Sequence, residues 1–466
     1  MFNNKSFDAV EFTSIDSTKT QTISNATQTH NVDKKFQEIQ TSKHHDSETQ
    51  TINKVPHVPK VDYDQLAAFL KRVTPDILGA LDETWPENVS TTSESTIPNP
   101  QSRLLTKFST ITETNFEKKI SSMSWSTNGG ILAISYSALS HKSWCDHLSQ
   151  IKFYEFTTGN ELRDNCSTVY DTIACVSCLS YHPTEPSILS AGLFNGDVIL
   201  WNLTSNDSST PMNVYTHGDT ITSLMWQSTT VNDPMLLVTS SSDGYIVFNK
   251  LSTNFTNANL HQRYKIFKEH NPAENLRPRS AGSRRERAIE TGLSITSMDF
   301  SSKNPIIFIV GTLCGGLYKC SSEAVTKIQG DDSVIDPVID QYSRSDSSIT
   351  CVKCSPTQNI FISSDTNKEI RVFDIAEPNC LRIINVEYTI TGIQWSIGND
   401  NFIIAHGANP IVKCFDISSG TSCPRFQIEC SIVNTGCLDI NKKRNIVGVG
   451  DSHNNLEIWT LPKVIE

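Results

Sequence analysis

Apolar residues are distributed along this chain in two regimes. From about Lys118 onward, Ile, Val, Leu, Phe and Trp occur in short runs separated by clusters of Ser, Asn, Asp, Gly and Pro. Short apolar runs bounded by turn formers read as strands. No segment after residue 116 keeps a 3.6-residue apolar period over three turns, which excludes bundle and α/β architectures. The runs recur as a unit of about 40–50 residues. Each unit has an apolar-x-apolar start, a buried run ending in small residues, a polar tight turn and an alternating strand ending in an aromatic. The clearest copy combines Cys178-Leu-Ser-Tyr-His-Pro183, Ile188-Leu-Ser-Ala-Gly192 and Asn195-Gly-Asp-Val-Ile-Leu-Trp-Asn202. Seven copies begin near Ile120, Cys178, Ile221, Ile295, Ile349, Ile390 and Gly436, the first and fourth being degenerate. Units of four strands that bury both faces against their neighbours, closed into a ring that removes open edges, make a propeller. The predicted fold is therefore all-β, a seven-bladed β-propeller over 116–466 with a long insertion at about 253–291. A linker at 87–115 with a candidate closing strand precedes it.

The other regime is polar. Residues 1–60 contain no Leu, Gly, Cys or Trp and are crowded with Ser, Thr, Asn, Gln, Lys and Asp, too little apolar surface to offset chain entropy. This tail is expected to be disordered on its own. Within it stand four similar triplets: Thr20-Gln21-Thr22, Thr27-Gln28-Thr29, Ile39-Gln40-Thr41 and Thr49-Gln50-Thr51. In an extended chain the two flanking β-branched residues share one face and the Gln takes the other. Such a segment can add as a strand to a partner's sheet edge, with backbone bonds supplying affinity and alternating side chains supplying register. The central Gln residues are 7, 12 and 10 residues apart. At ~3.3 Å per residue the first interval spans only about 23 Å, so Gln21 and Gln28 compete while Gln40 and Gln50 can be filled together.

Between tail and propeller, 61–86 reads as an amphipathic helical segment. Asp62 and Gln65 have capping-box spacing, and Leu66, Phe69, Leu70 and Val73 form an apolar stripe. Thr74-Pro75-Asp76 reads as a fresh N-cap with Pro at the first helical position, after which Ile77, Leu78, Leu81 and Trp85 continue the spacing. A helix this short is marginal alone in water, so its apolar face requires a partner surface, either the chain's own propeller or another protein.

The net charge of −11 argues against general nucleic-acid or membrane-surface binding. The basic stretch Arg277-Pro-Arg-Ser-Ala-Gly-Ser-Arg-Arg-Glu-Arg287 lies between repeats and reads as a solvated loop. Without an apolar N-terminal region or a window near 18 apolar residues, the chain is expected to be neither secreted nor membrane-inserted, and its 13 cysteines to be reduced, mostly buried thiols. The pairs Cys175/Cys178 and Cys351/Cys354 fall on predicted strands, where residues three apart point to opposite faces, so neither pair is expected to share a metal. His141, Cys145 and His147 lie in one loop, but with no fourth ligand nearby in the sequence no metal or other cofactor is expected. No phosphate loop, His-Glu-x-x-His motif or nucleophile elbow appears, and no enzyme activity is expected.

The repeats resemble the WD-repeat family, whose blades end in Trp-Asp; the matching ends are Trp201-Asn202, Phe373-Asp374, Phe415-Asp416 and Trp459-Thr460. Only Thr216-His-Gly-Asp219 approaches that family's Gly-His element, so its internal hydrogen-bond triad is doubtful in most blades. The tail triplets resemble the Thr-Gln-Thr anchors that bind the eight-kilodalton class of dynein light chain. Together with Tyr63-Asp-Gln-Leu-Ala-Ala-Phe-Leu-Lys-Arg-Val73 and the propeller, they make the chain resemble dynein intermediate chains, most of all those of dynein-2, the retrograde intraflagellar-transport motor. Residues 1–20 lack the charged heptad run with which dynein-1 intermediate chains begin. The resemblance implies that the triplets bind one light chain and that Leu66, Phe69, Leu70, Val73, Ile77, Leu78 and Leu81 bind the roadblock type. It further implies that the propeller grips the dynein-2 heavy chain and that a second intermediate chain is paired alongside. The implied setting is the cytoplasm, the cytoskeleton, and the cilium and its base, with a role in cilium assembly. A generic WD-repeat adaptor such as a ubiquitin-ligase substrate receptor, a dynein-1 or axonemal intermediate chain, and a propeller hydrolase remain alternatives.

Overall fold

The computed structural model describes residues 63–84, 102–111, 118–141, 145–157, 161–204, 210–228, 234–267, 292–328 and 331–462. The four tail triplets, Trp85 and the basic stretch at 277–287 lie outside them. The chain divides into two compact units, Met1–Glu94 and Ser95–Glu466.

In the first unit a single α-helix of 22 residues runs from Tyr63 to Thr84. This corrects the expected fresh start at Thr74-Pro75-Asp76: Thr74 does not cap a second helix, and Pro75 lies inside the first. The Thr74 hydroxyl donates back to the Leu70 carbonyl at 2.6 Å, one turn earlier, instead of forward to a new helix start. Pro75 removes one backbone donor, but the apolar spacing continues across it at Ile77, Leu78 and Leu81, so one amphipathic face runs the length of the helix.

In the second unit the strands form seven antiparallel sheets. Blades 1 to 6 take four consecutive strands each from 118–172, 176–216, 221–265, 295–341, 349–385 and 390–429, with one excursion described below. The first strands of successive blades contact one another in an unbroken cycle, so they form the inner wall of a ring. The second strands are the most deeply buried, and Ile188–Leu193, Leu236–Ser241 and Phe402–Gly407 are buried along their full length, because each is flanked by strands on both sides and by blades on both faces. The small residues ending these runs have a packing reason. A Cβ added to Gly192 or Gly311 would sit 2.5 Å from Cγ2 of Ile221 or Ile349. Ile221 and Ile349 each begin the first strand of the following blade.

The ring closes by exchange between distant parts of the chain. Blade 7 takes three strands from the C-terminal region, Cys437–Asn441, Ile446–Gly450 and Asn455–Thr460, and its outermost strand, Leu104–Ser109, from before blade 1. Phe108 pairs with Leu456, and its ring lies 5.2 Å from that of Tyr154 in blade 1. The buried Glu457 carboxylate accepts from Lys107 at 3.3 Å, and its other oxygen from the Trp459 indole at 3.0 Å.

Two departures from the repeat pattern appear. The residues expected to form an insertion at 253–291 include a true fourth strand, Ala258–Lys265, paired antiparallel with Tyr245–Leu251. Its sequence does not mark it as a strand, because an outermost strand faces solvent and carries polar residues, here Asn259, His261, Gln262 and Arg263. Only 268–291 remains between this strand and blade 4, with Phe267 and Gly292 bridged at its ends. Blade 4, in turn, sends out a hairpin, Thr326–Ile328 and Asp331–Asp336, that joins blade 3 through Tyr264 and Ile335 to make a six-stranded sheet. Arg263 holds it at 3.2 Å from Asp331 and 2.9 Å from the Ser333 hydroxyl.

Deleting residues 102–111 removes the outermost strand of blade 7 and bares the edge of Asn455–Thr460. We expect a loss of roughly 3–5 kcal/mol in unfolding free energy and concentration-dependent self-association, read by denaturant titration and size-exclusion chromatography. Unchanged stability in a monodisperse chain would contradict the closure.

Candidate docking sites

On the helix, Leu66, Phe69 and Leu70 are 42%, 49% and 51% exposed, high values for large apolar side chains that share one face. Val73 is half-buried, and the Arg72 guanidinium lies 5.8 Å from the centre of the Phe69 ring. Ile77, Leu78 and Leu81 occupy helical positions that extend the same stripe; their side chains are outside the described residues. A face of this kind has the i, i+3, i+4, i+7 anchors of helix-in-groove recognition.

Among the described residues, charged side chains stand on the inner strands, and two of them, Asp299 and Asp439, bond across blade junctions. Asp299, Lys353 and Asp439 immediately precede Phe300, Cys354 and Ile440 in the repeat starts of blades 4, 5 and 7, the place that Ser124 holds before Trp125 in blade 1. The Cys354 N–H donates to the Asp299 carboxylate at 2.8 Å, the Trp125 N–H to Asp439 at 2.9 Å and the Tyr181 N–H to the Ser124 hydroxyl at 3.2 Å. Each bond crosses from one blade to the next. Burial raises Asp299 above the usual carboxylate range and pushes Asp439 to about 6. Burial alone would lower Lys353, but Asp299, Cys351 and Asp439 outweigh it and hold the ammonium above its ordinary value. Polar residues recur at this position in several repeat starts, a signal present in the sequence.

Away from the loop of blade 1, the buried thiols pack as small apolar groups. The Cys351 and Cys354 sulfurs point toward different neighbours, the Ile393 carbonyl at 3.9 Å and the Asp299 carbonyl at 3.8 Å, so this pair does not share a site. Burial pushes Cys178 up to about 11, and Cys414 and Cys437 to about 12. His217 realises the one Gly-His-like element: its Nε2 lies 2.9 Å from the Thr239 hydroxyl and its Nδ1 3.6 Å from the Asp243 carboxylate. Blade 5 substitutes a different pair at the corresponding place, the Ser345 hydroxyl donating to Asp365 at 2.6 Å with both residues buried.

The loop between Ile131–Ala138 and Ser149–Glu155 departs from expectation. Sequence spacing offers no fourth ligand beside His141, Cys145 and His147, yet the fold supplies one, Cys175, at the entry to blade 2. One ligand atom from each of the four lies within 4.8 Å of every other. Sequence spacing hides the grouping, because Cys175 is 28 residues beyond His147 and stands in a Cys-x-x-Cys pair with Cys178.

Replacing Asp439 by Asn keeps an acceptor for Trp125 while removing a costly charge. Because its folded pKa lies above the unfolded value, the stability it contributes is present at low pH and lost as pH rises through about 6. Asp439→Asn is therefore expected to raise unfolding free energy by about 2 kcal/mol at pH 7.5, with most of the gain gone by pH 4, in urea titrations at both values. Destabilisation at pH 7.5 would contradict this.

A WD domain, G-beta repeat model matches residues 338–374. That span runs from the last strand of blade 4 through the third strand of blade 5, so the sequence repeat is offset from the blade by one strand. Cytoplasmic dynein 2 intermediate chain 2 of Homo sapiens is 24% identical over 423 residues, covering 86% of this chain and 77% of that protein. Its Mus musculus counterpart is 23% identical over 422 residues, again 86% and 77%. Dynein axonemal intermediate chain 1 of Rattus norvegicus is 23% identical over 212 residues, 43% of this chain and 26% of that protein. The chain is a seven-bladed WD-repeat propeller that resembles the intermediate chains of dynein, those of cytoplasmic dynein 2 over most of its length.

Proposed function

We propose that this protein is a non-catalytic scaffold subunit of a dynein complex, serving the dynein-2 motor in retrograde intraflagellar transport and cilium assembly. The observation that carries this is the similarity to cytoplasmic dynein 2 intermediate chain 2 across 86% of the chain, far more than the propeller alone would need to match by one repeat. In this reading the four Gln-centred triplets add as strands to eight-kilodalton light chains. A two-fold light chain that clamps two tails raises the effective concentration of each remaining triplet, so serial weak strands yield a stable pair of intermediate chains. The helix face around Leu66, Phe69 and Leu70 docks a roadblock-type light chain, an assignment supported by large apolar side chains left half-exposed. The propeller, rigid because its ring is closed, holds the heavy chain. The protein would act at the cytoskeleton and cilium, and no described helix is long and apolar enough to cross a membrane.

The test separates the two tail devices. With the tagged full chain, changing Gln21, Gln28, Gln40 and Gln50 together to Ala is expected to lower co-purification of the eight-kilodalton light chain by about tenfold or more and leave the roadblock type in place. Phe69→Asp with Leu70→Asp should do the reverse. Retention of both light chains by both variants would overturn the assignment.

A further inference from the structure

We propose that His141, Cys145, His147 and Cys175 form a structural zinc site that fastens a loop of blade 1 to the start of blade 2. Two thiols and two imidazoles are the donor set of a closed tetrahedral zinc centre, in which all four positions are filled by protein and none is left for a substrate. Two thiolates and two neutral imidazoles around a divalent cation also leave no net charge to bury.

The geometry is close to what the ion demands. Zinc at ~2.3 Å from sulfur and ~2.0 Å from nitrogen places its ligand atoms roughly 3.3–3.8 Å apart. The Cys145 sulfur and His147 Nδ1 are 3.5 Å apart, already at that separation, and all four ligand atoms lie within 4.8 Å of one another. Closing the remaining gap requires side-chain shifts of about an ångström and no change of fold.

Two backbone donors face the sulfurs. The Ala138 N–H points at the Cys175 sulfur at 3.2 Å, and the Cys175 N–H at the Cys145 sulfur at 3.4 Å. Backbone donors aimed at sulfur stabilise thiolates and fix ligand orientation. The His141 ring is stacked 4.1 Å from Phe194 of blade 2, and its Nε2 is buried without a hydrogen-bond partner among the described residues. A buried imidazole nitrogen with no partner is costly unless something else binds it, and a cation among two thiols supplies that partner.

A metal here would join two blades. Ala138, His141, Cys145 and His147 belong to the connection between the second and third strands of blade 1, whereas Cys175 immediately precedes the first strand of blade 2. In alternating antiparallel sheets these two connections lie on the same face of the ring. Zinc would hold the longer loop down on that face and brace the first inter-blade junction.

The test is metal analysis of the purified full chain, prepared without chelator, by inductively coupled plasma mass spectrometry. We expect about one zinc per chain, and a tetrahedral cobalt–thiolate spectrum after exchange with Co²⁺. His147→Ala, at an exposed position that folding should tolerate, and Cys145→Ser should each lower zinc at least about tenfold. Cys423→Ser, an exposed thiol elsewhere, should leave it unchanged. Zinc at background in the wild-type chain, zinc retained equally by His147→Ala, or a Cys145–Cys175 disulfide without metal would each overturn the proposal.

Discussion

The pairing of Leu104–Ser109 with Asn455–Thr460 is the interaction on which the rest of the propeller depends. Seven sheets arranged in a ring need every inner junction at once, and a gap at any one would leave an apolar blade face and a strand edge in water. The chain places the gap where its two ends can mend it. A strand from before blade 1 completes blade 7, and Phe108 then packs on Tyr154 of blade 1. The same logic explains why the matched repeat at 338–374 straddles two blades. When each repeat contributes the last strand of one blade and the first three of the next, the closing strand must come from outside the final repeat.

Once closed, the ring is held at its inner wall by bonds from side chain to backbone between neighbouring blades. Asp439 with Trp125 joins blade 7 to blade 1, Ser124 with Tyr181 joins blade 1 to blade 2, and Asp299 with Cys354 joins blade 4 to blade 5. Charged groups at such positions carry a desolvation cost, visible in the raised Asp299 and Asp439. In return, the backbone N–H groups they accept are satisfied, and a one-residue slip between blades would orphan them.

The inner part of each blade was legible in the sequence, since buried runs such as Ile188–Leu193 and aromatic strand ends such as Trp201 and Phe373 carry the pattern of two-sided burial. The outer rim was not. Ala258–Lys265 and the hairpin at 326–336 are strands defined by their partners rather than by their own polar sequences, and nothing in a polar strand marks which edge it will join. At Thr74-Pro75 a correct local rule gave the wrong result, because an uninterrupted apolar stripe from Leu66 to Leu81 favours one helix over two. Of the candidate sites, the helix face was read from spacing alone. The grouping of Cys175 with His141, Cys145 and His147 required the three-dimensional adjacency of two blades.

A closed ring with an amphipathic helix upstream in the chain suits the proposed role, that of a subunit whose work is to hold others in fixed relation. In the proposed function the ring offers a stable surface, and the triplets at Gln40 and Gln50 are far enough apart to be filled together by small partners. Native mass spectrometry of the complex purified on the tagged full chain tests this most directly. The account predicts a dynein heavy chain together with both light-chain classes and a paired intermediate chain; ubiquitin-ligase subunits, with no dynein chain present, would contradict it.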